Sequence, residues 1–433
     1  MAIWDEAHEC MDRERLEALQ LERLRELVGR VRGSVPFYRG RLDDAGLAPG
    51  DLTCLDDVRR LPFTQKADFR HEYPRGMFAV PGREVVEVHS TSGTTGRPVV
   101  CGFTARDLET WAELVCRLAV AVGVGRDDVA QVTLGYGMFT GGFGLHYGLQ
   151  RAGAQVLPVS SGNTERQIRL MRDLGTTVLI ATPTYALHLG DVLRDSGVTV
   201  DELSLRLGLF GAEACTDEMR THIEAMLPLV ATDNYGLTEV LGPGVAGECE
   251  CRAGMHVNED HFVVECLDPE TDRPVPDGEL GELVFTALTR ECSPVLRYRT
   301  HDISSVTRAG CDCGRTTARI GKVVGRTDEM FIINGVNVFP SAVEKVLFAT
   351  GGVRPFYRIV LERRDGLDTF DVQVEVEDEL FSGPRQALLD LERRLTAELK
   401  DALLVRPGVT LLRPGCIEAS AGKTRRVFDR REG

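Results

Sequence analysis

HSTSGTTGRPVV, residues 89–100, is the stretch on which the reading of this chain turns. Ser90, Thr91, Ser92, Gly93, Thr94, Thr95, Gly96 and Arg97 are too polar for a buried strand and too rich in glycine and hydroxyl side chains for a helix. Small residues let a backbone come close to a ligand, and glycine supplies the positive φ that such loops need. Backbone amides, hydroxyls and one cation together suit a polyphosphate. The pattern is not G-x-x-x-x-G-K-[ST], because no lysine–hydroxyl pair follows the last glycine. A flexible Ser/Thr/Gly linker has a similar composition. Here VVEVHS before the loop and PVVCGFT after it read as strands, so the loop is expected to be held at both ends.

Outward from the loop, short apolar runs alternate with helical stretches as far as about residue 325. DDVAQVTLGYG, GAQVLPVSS, TTVLIATPT, LRLGLFGAE and LPLVATDNYG each end in a glycine-rich or polar loop. That alternation predicts an α/β domain with a largely parallel sheet and ligands beyond the carboxyl ends of its strands. Upstream, Leu16, Leu19, Leu24, Leu27, Val28 and Val31 recur near helical spacing, which predicts an amphipathic helix over 12–32 packed on the main domain. GELGELVFTAL (278–288) and PVLRYRTHDISSVTR (294–308) read as a hairpin-rich β segment. After Asp328 a strand at 372–377 and a helix at 390–404 predict a compact α+β domain, and the final DRREG reads as a frayed tail.

A chain of 433 residues exceeds one ordinary core, so more than one domain is expected. The net charge of −15 argues against a nucleic-acid partner or a membrane surface, though not against a nucleotide held by a local loop. No run of 18 apolar residues and no signal-peptide layout occurs, so the protein is expected to be cytoplasmic. Twelve cysteines without a secretion signal do not suggest a disulfide framework. Cys54, Cys101, Cys116, Cys215, Cys266 and Cys416 are expected as buried thiols in apolar settings.

Six segments, in order along the chain, resemble the phenylacetate–CoA ligase family of adenylate-forming enzymes. They are PFTQKADFRHEYP (62–74), YGMFTGGFGLHYG (136–148), SGNTERQ (161–167), DNYGLTEVLGPGVA (233–246), GRTDEMFIINGVNVFPSAVE (325–344) and AGKTRRV (421–427). The resemblance implies a large multi-layer N-terminal adenylate-forming domain with mixed and parallel sheets over 1–327. A small mobile α+β C-terminal domain over 328–433 would swing about Asp328. The implied reaction joins a carboxylate to the α-phosphate of ATP, giving an acyl adenylate and pyrophosphate, after which a thiol, usually coenzyme A, displaces AMP. Both steps concentrate negative charge, so cations and amide donors are needed where it develops.

The resemblance also distributes roles. The 90–97 loop would hold the β- and γ-phosphates. Glu239 would accompany Mg²⁺, for which a carboxylate beside phosphate oxygens is ordinary coordination. Gly211, Ala212, Glu213, Asp233, Asn234, Tyr235, Gly236 and Thr238 would run along the nucleotide. Asp302 would accept both ribose hydroxyls, as a carboxylate can, with Arg326 near ribose and phosphate. Lys423 would bridge carboxylate and phosphate oxygens. Tyr136, Phe139, Gly141 and Gly142, with Gly211, Ala212, Pro243 and Gly244, would line a flat aryl pocket. Cys215 stands where relatives tend to carry tryptophan, and with Asn234 leaves room for a more polar aryl acid. His301 replaces a more common glycine, and either crowds the nucleotide edge or points to solvent.

Cys249, His256, Cys311 and Cys313 combine soft thiolates with an imidazole in two clusters, which suits tetrahedral Zn²⁺. The C-x-C spacing is tighter than that of a zinc finger, so unconnected reduced thiols remain an alternative. Relatives match Cys249 and not Cys251. The expected substrates are therefore an aromatic acid, ATP and coenzyme A, with Mg²⁺ and structural Zn²⁺. A carrier-protein thiol or an amine as acceptor, a non-catalytic binding protein on the same fold, and a homodimer stay open.

Overall fold

In the computed structural model, which describes residues 2–91, 97–333, 336–364, 367–417 and 426–431, the alternating segments form one continuous sheet. Strands Gln155–Leu157, Val129–Val132, Val178–Ala181, Leu207–Phe210 and Val230–Leu237 lie side by side and parallel. The central ones are buried on both faces, as a parallel sheet covered by helices requires. Beyond Val230–Leu237 the sheet turns antiparallel through Gly242–Glu248, Met255–Val257, Arg319–Ile320, Tyr298–Thr307, Leu280–Ala287 and Phe262–Leu267. The expected hairpin of 278–288 with 294–308 is the pairing of Leu280–Ala287 with Tyr298–Thr307. The parallel strands end in the loops GYGMF, TPTY, GAE and LTE at one edge of the domain, which gathers the sequence motifs there.

Glu87–Ser90 and Val100–Phe103 pair antiparallel, and Thr91 and Val99 continue the pairing, N–H to C=O at 3.0 Å. The loop of residue 89–100 is thus held at both ends, as expected, while Ser92, Gly93, Thr94, Thr95 and Gly96 lie outside the described residues. The amphipathic helix is Arg13–Ser34, capped by Asp12, with Leu16, Leu24, Leu27, Val28 and Val31 buried. Gln20 on the same face donates to the carbonyls of Glu259 and Phe262 and seats the helix on the main domain.

The small C-terminal unit is a four-stranded sheet in the order Gly408–Leu412, Leu367–Val376, Val353–Arg364, Val427–Asp429. Helices Pro340–Ala349 and Arg385–Leu403 cover it, the latter burying Leu391, Leu395, Leu399 and Leu403 at four-residue spacing. Its start precedes the expected residue 390, because Pro384 sets the first turn and Arg385–Leu389 are good helix formers. No described helix is long and apolar enough to cross a membrane.

Two expectations fail. Cys54 and Cys416 are exposed: Cys54 caps a short 3₁₀ turn at the surface, where Asp57 takes its N–H, and Cys416 follows an outer strand. The stretch from Asp429 to Arg431 is not frayed. Asp429 ends a strand, and Arg431 pairs with Asp429 and Asp368, so charge complementarity fixes the polar end.

Candidate active site and metal cluster

At the strand ends, residues far apart in sequence converge on Asp302. Tyr235 donates its hydroxyl to Asp302 Oδ2 at 2.6 Å, and Arg326 Nη1 donates to Asp302 Oδ1 at 2.6 Å. Arg326 also grips Asp328 with Nε and Nη2, at 2.9 and 3.0 Å. Two-residue pairing of Gly325–Arg326 with Asp302 and Ile303 sets this geometry. Burial, and then Asp302, pushes the Tyr235 phenol well above its ordinary range, so it stays a donor.

Glu239 is buried, and Lys66 Nζ lies 3.8 Å from its Oε1. Arg290 fixes the turn from below, donating from Nη1 to the carbonyls of both Thr238 and Glu239 at 3.2 Å. Only glycine fits at Gly236, where a Cβ would stand 1.7 Å from the Gly242 carbonyl oxygen. In the neighbouring loop Ala212 has φ +68°, and Glu213 accepts the Thr184 hydroxyl at 2.5 Å. A Cβ on Gly211 would meet the Asn234 carbonyl at 2.8 Å, so these two segments touch. Asp233 is buried above Glu248, which accepts its N–H at 3.0 Å and pairs with Arg220. Burial first, and the Glu248 charge second, push the Asp233 carboxyl up to about 8.

Tyr136, Phe139, Gly141 and Gly142 lie on one short segment, the two glycines closely packed. The Phe139 ring covers Gly141, and Gly142 packs on the Gly135 carbonyl so closely that a Cβ would sit 2.7 Å away. Thr140 and Thr238 hydroxyls lie 3.1 Å apart, which links this segment to the Glu239 turn. Pro243 and Gly244 pack under helix Ala105–Ala121, their carbonyls taken by Trp111 and Asn258. Tyr136 bonds His146 Nδ1 at 3.0 Å, and buried His89 pairs with Glu87 at 2.5 Å. Cys215 is buried.

The second site is compact. One ligand atom from each of Cys249, His256, Cys311 and Cys313 lies within 4.8 Å of every other. Cys249 and Cys311 sulfurs are 3.8 Å apart, and Cys313 Sγ is 3.3 Å from His256 Nε2. Four ligands around zinc at about 2.3 Å stand about 3.8 Å from one another, so the donor set and spacing suit a tetrahedral ion. His256 Nδ1 bonds Thr317 Oγ1 at 3.1 Å, which orients the ring. Cys251 packs against the same cluster.

His301 is partly exposed and hydrogen-bonded within the protein. It adopts φ +64°, takes Glu282 Oε1 on its N–H at 3.0 Å, and bonds Thr327 Oγ1 through Nδ1 at 3.0 Å. The imidazole therefore braces the turn before Asp328. Lys423 lies outside the described residues. Lys66, Arg290 and Thr184 were missed as site residues. Lysine itself was a signal: Lys66, Lys322, Lys345, Lys400 and Lys423 are the only lysines among 51 basic residues. In so arginine-rich a chain a lysine marks a place where a compact point charge is wanted.

Residues 52–287 match the family model of the AMP-binding enzyme, and 335–431 that of the AMP-binding enzyme C-terminal domain. The chain is 46% identical to a phenylacetate-coenzyme A ligase of Thermus thermophilus over 98% of each. Identity to that of Pseudomonas putida is 45%, over 95% of this chain and 93% of the relative. Identity to that of Escherichia coli is 43%, over 96% and 95%. A solved 2-hydroxyisobutyryl-CoA ligase in the postadenylation state, bound to 2-HIB-AMP, superposes with TM-score 0.92 at 28% identity, covering 98% of this chain and 92% of that one. The same ligase in its thioesterification state, with 2-HIB-AMP and CoA, gives 0.73 over the same shares.

Proposed function

The chain belongs to the phenylacetate–coenzyme A ligase family of AMP-binding enzymes, and from that membership we propose that it activates an aromatic carboxylic acid with ATP and passes the acyl group to coenzyme A. The observation that carries the reading is the meeting of Tyr235 and Arg326 on Asp302, on a chain alike end to end with these ligases. In this reading the acid's carboxylate attacks the α-phosphorus of ATP, and pyrophosphate leaves. The thiol of coenzyme A then attacks the acyl carbon, and AMP leaves.

Roles follow from chemistry. Asp302 accepts the ribose hydroxyls, and Arg326 holds Asp302 and faces the phosphates. The loop of residues 90–97 would hold the β- and γ-phosphates with amides and hydroxyls. Gly211, Ala212, Glu213, Asp233, Asn234, Tyr235, Gly236 and Thr238 flank the base and the α-phosphate. Glu239 would hold Mg²⁺, which supplies charge neutralisation at the phosphates. Lys66 adds a cation beside Glu239, and Lys423 brings another from the small domain. Tyr136, Phe139, Gly141 and Gly142, with Gly211, Ala212, Pro243 and Gly244, form the ring slot. We place the domain boundary between Thr327 and Asp328, where His301 braces the turn. Cys249, His256, Cys311 and Cys313 would hold one structural Zn²⁺, leaving no position for substrate.

A panel of aromatic acids with ATP and coenzyme A tests this, read by pyrophosphate release and by the mass of the thioester. Acid-dependent pyrophosphate release with AMP formation that requires coenzyme A is expected. Release of pyrophosphate without any thioester would move the acceptor to another thiol or to an amine.

A further inference from the structure

The two domains meet through a contact outside the site. Arg354, at the start of strand Val353–Arg364, reaches Asp191 on helix Pro183–Asp195 of the large domain, Nη2 to Oδ2 at 2.7 Å. Its Nη1 lies 3.5 Å from Glu375 Oε2, and that glutamate side chain is 1% exposed. The guanidinium also lies over the Phe356 ring at 5.3 Å, and Phe356 meets His188 of the same large-domain helix edge-on at 6.0 Å. Glu375 Oε1 accepts the N–H of Ile417 at 2.7 Å. Six residues after Ile417 in sequence comes Lys423. Arg426, beyond it, is fixed independently: its carbonyl accepts the Ile359 N–H at 2.7 Å, and its guanidinium covers the Tyr357 ring at 4.4 Å.

We propose that Arg354 is a positioning residue that bridges Asp191 and Glu375 and holds the small domain in the arrangement used to form the adenylate. The proposal rests on the adenylating function proposed above. A planar guanidinium can serve two carboxylates at once, which an ammonium does less well. The Arg354–Glu375 contact lies within the small domain and travels with it. The Arg354–Asp191 contact crosses between domains, so any rotation that parts strand Val353–Arg364 from helix Pro183–Asp195 breaks it. The chain superposes better on the postadenylation structure of a relative than on its thioesterification structure. A contact made in only one of two arrangements shifts the population toward that one.

The test measures Asp191→Asn, Arg354→Gln, Arg354→Lys and the Asp191→Asn/Arg354→Gln pair in two half-reactions. One is acid-dependent exchange of pyrophosphate into ATP. The other is thioester formation from supplied acyl adenylate and coenzyme A. The bridge requires exchange to fall about tenfold in Asp191→Asn and Arg354→Gln, mid-range for coupling between touching residues. Thioester formation should hold or rise, the double variant should be no worse than the weaker single one, and Arg354→Lys should recover part of the loss. Equal loss in both half-reactions, or loss in neither, overturns the proposal. Should the Arg354 variants fail to fold, Asp191→Asn alone decides by the same split. Absence of acid-dependent exchange in the unaltered protein would instead strike the adenylating function itself.

Discussion

The cysteine–histidine cluster draws its four donors from two short segments, 249–256 and 311–313, while the proposed nucleotide groove collects its charged groups from Lys66 near the start of the chain to Arg326 at the edge of the small domain. The cluster closes on itself: its donors lie within 4.8 Å of one another, and Thr317 holds the imidazole. The groove's described groups all belong to the large domain, and the proposed function adds Lys423 from the small one. A structural ion needs ligands that cannot separate. A two-step reaction needs cations that can, because the group that neutralises the departing pyrophosphate has no place beside an incoming thiol. The difference predicts that damage to the groove alters chemistry with little loss of fold, and damage to the cluster the reverse.

Lys423→Ala should break the comparison hardest. Removing a cation from the transition state for adenylate formation is expected to slow acid-dependent pyrophosphate exchange about 10³-fold, with the melting temperature unchanged. Thioester formation from supplied acyl adenylate should stay within a few-fold of the unaltered rate. Equal loss in both would mean that Lys423 is not confined to the first step.

Asp302→Asn keeps the shape and removes the charge. ATP affinity, measured by calorimetry, is expected to fall by about 2 kcal/mol, since two hydroxyl contacts lose an ionised acceptor. Alanine would be a poorer probe, because it leaves Arg326 and Tyr235 without the oxygen each now addresses. Unchanged affinity would remove Asp302 from the ribose.

The two regions also differed in how readable they were. The α/β alternation, the hairpin of 278–308 and the small α+β domain followed from apolar periodicity, and the structure has them. The cluster was legible from soft donors in two groups, with the resemblance choosing Cys249 over Cys251. The groove was legible only through resemblance. Asp302, Arg326 and Glu239 are ordinary charged residues until strand pairing brings them together. Arg290, Thr184 and the Arg354 bridge escaped because they act on backbone or across domains, where sequence spacing carries no signal. Cys54 and Cys416 misled because local apolarity does not say which side of a turn faces water.

Cys311→Ser should lower zinc content well below one per chain and lower the melting temperature on the order of 5 °C, while acid-dependent exchange in the surviving protein stays near normal. Cys251→Ser should change neither. Because Cys251 packs against the cluster, this pair sharpens the comparison more than a distant control would. Equal effects of the two substitutions would mean that Cys251 is the ligand in place of Cys249. Protein purified without chelator and free of zinc would reject the metal.

The last effect is one of pH, at Asp233, which is buried like the cluster. Burial and the Glu248 charge raise its carboxyl to about 8 in the folded protein, from an ordinary carboxylate value when unfolded. The folded state therefore holds a proton that the unfolded state releases between about pH 4 and 8. A raised carboxyl of this kind contributes stability fully below the unfolded pKa and loses it as pH rises through the folded one. Asp233→Asn removes the titration and keeps a neutral side chain of the same shape. Relative to that variant, the unaltered protein should lose stability progressively as pH rises across the window. Thermal melts of both proteins from pH 5 to 9 measure it: the gap between the two curves should open with pH and level off above about 8. Parallel curves would mean that Arg220, paired with Glu248 beneath it, already lets Asp233 ionise in the fold.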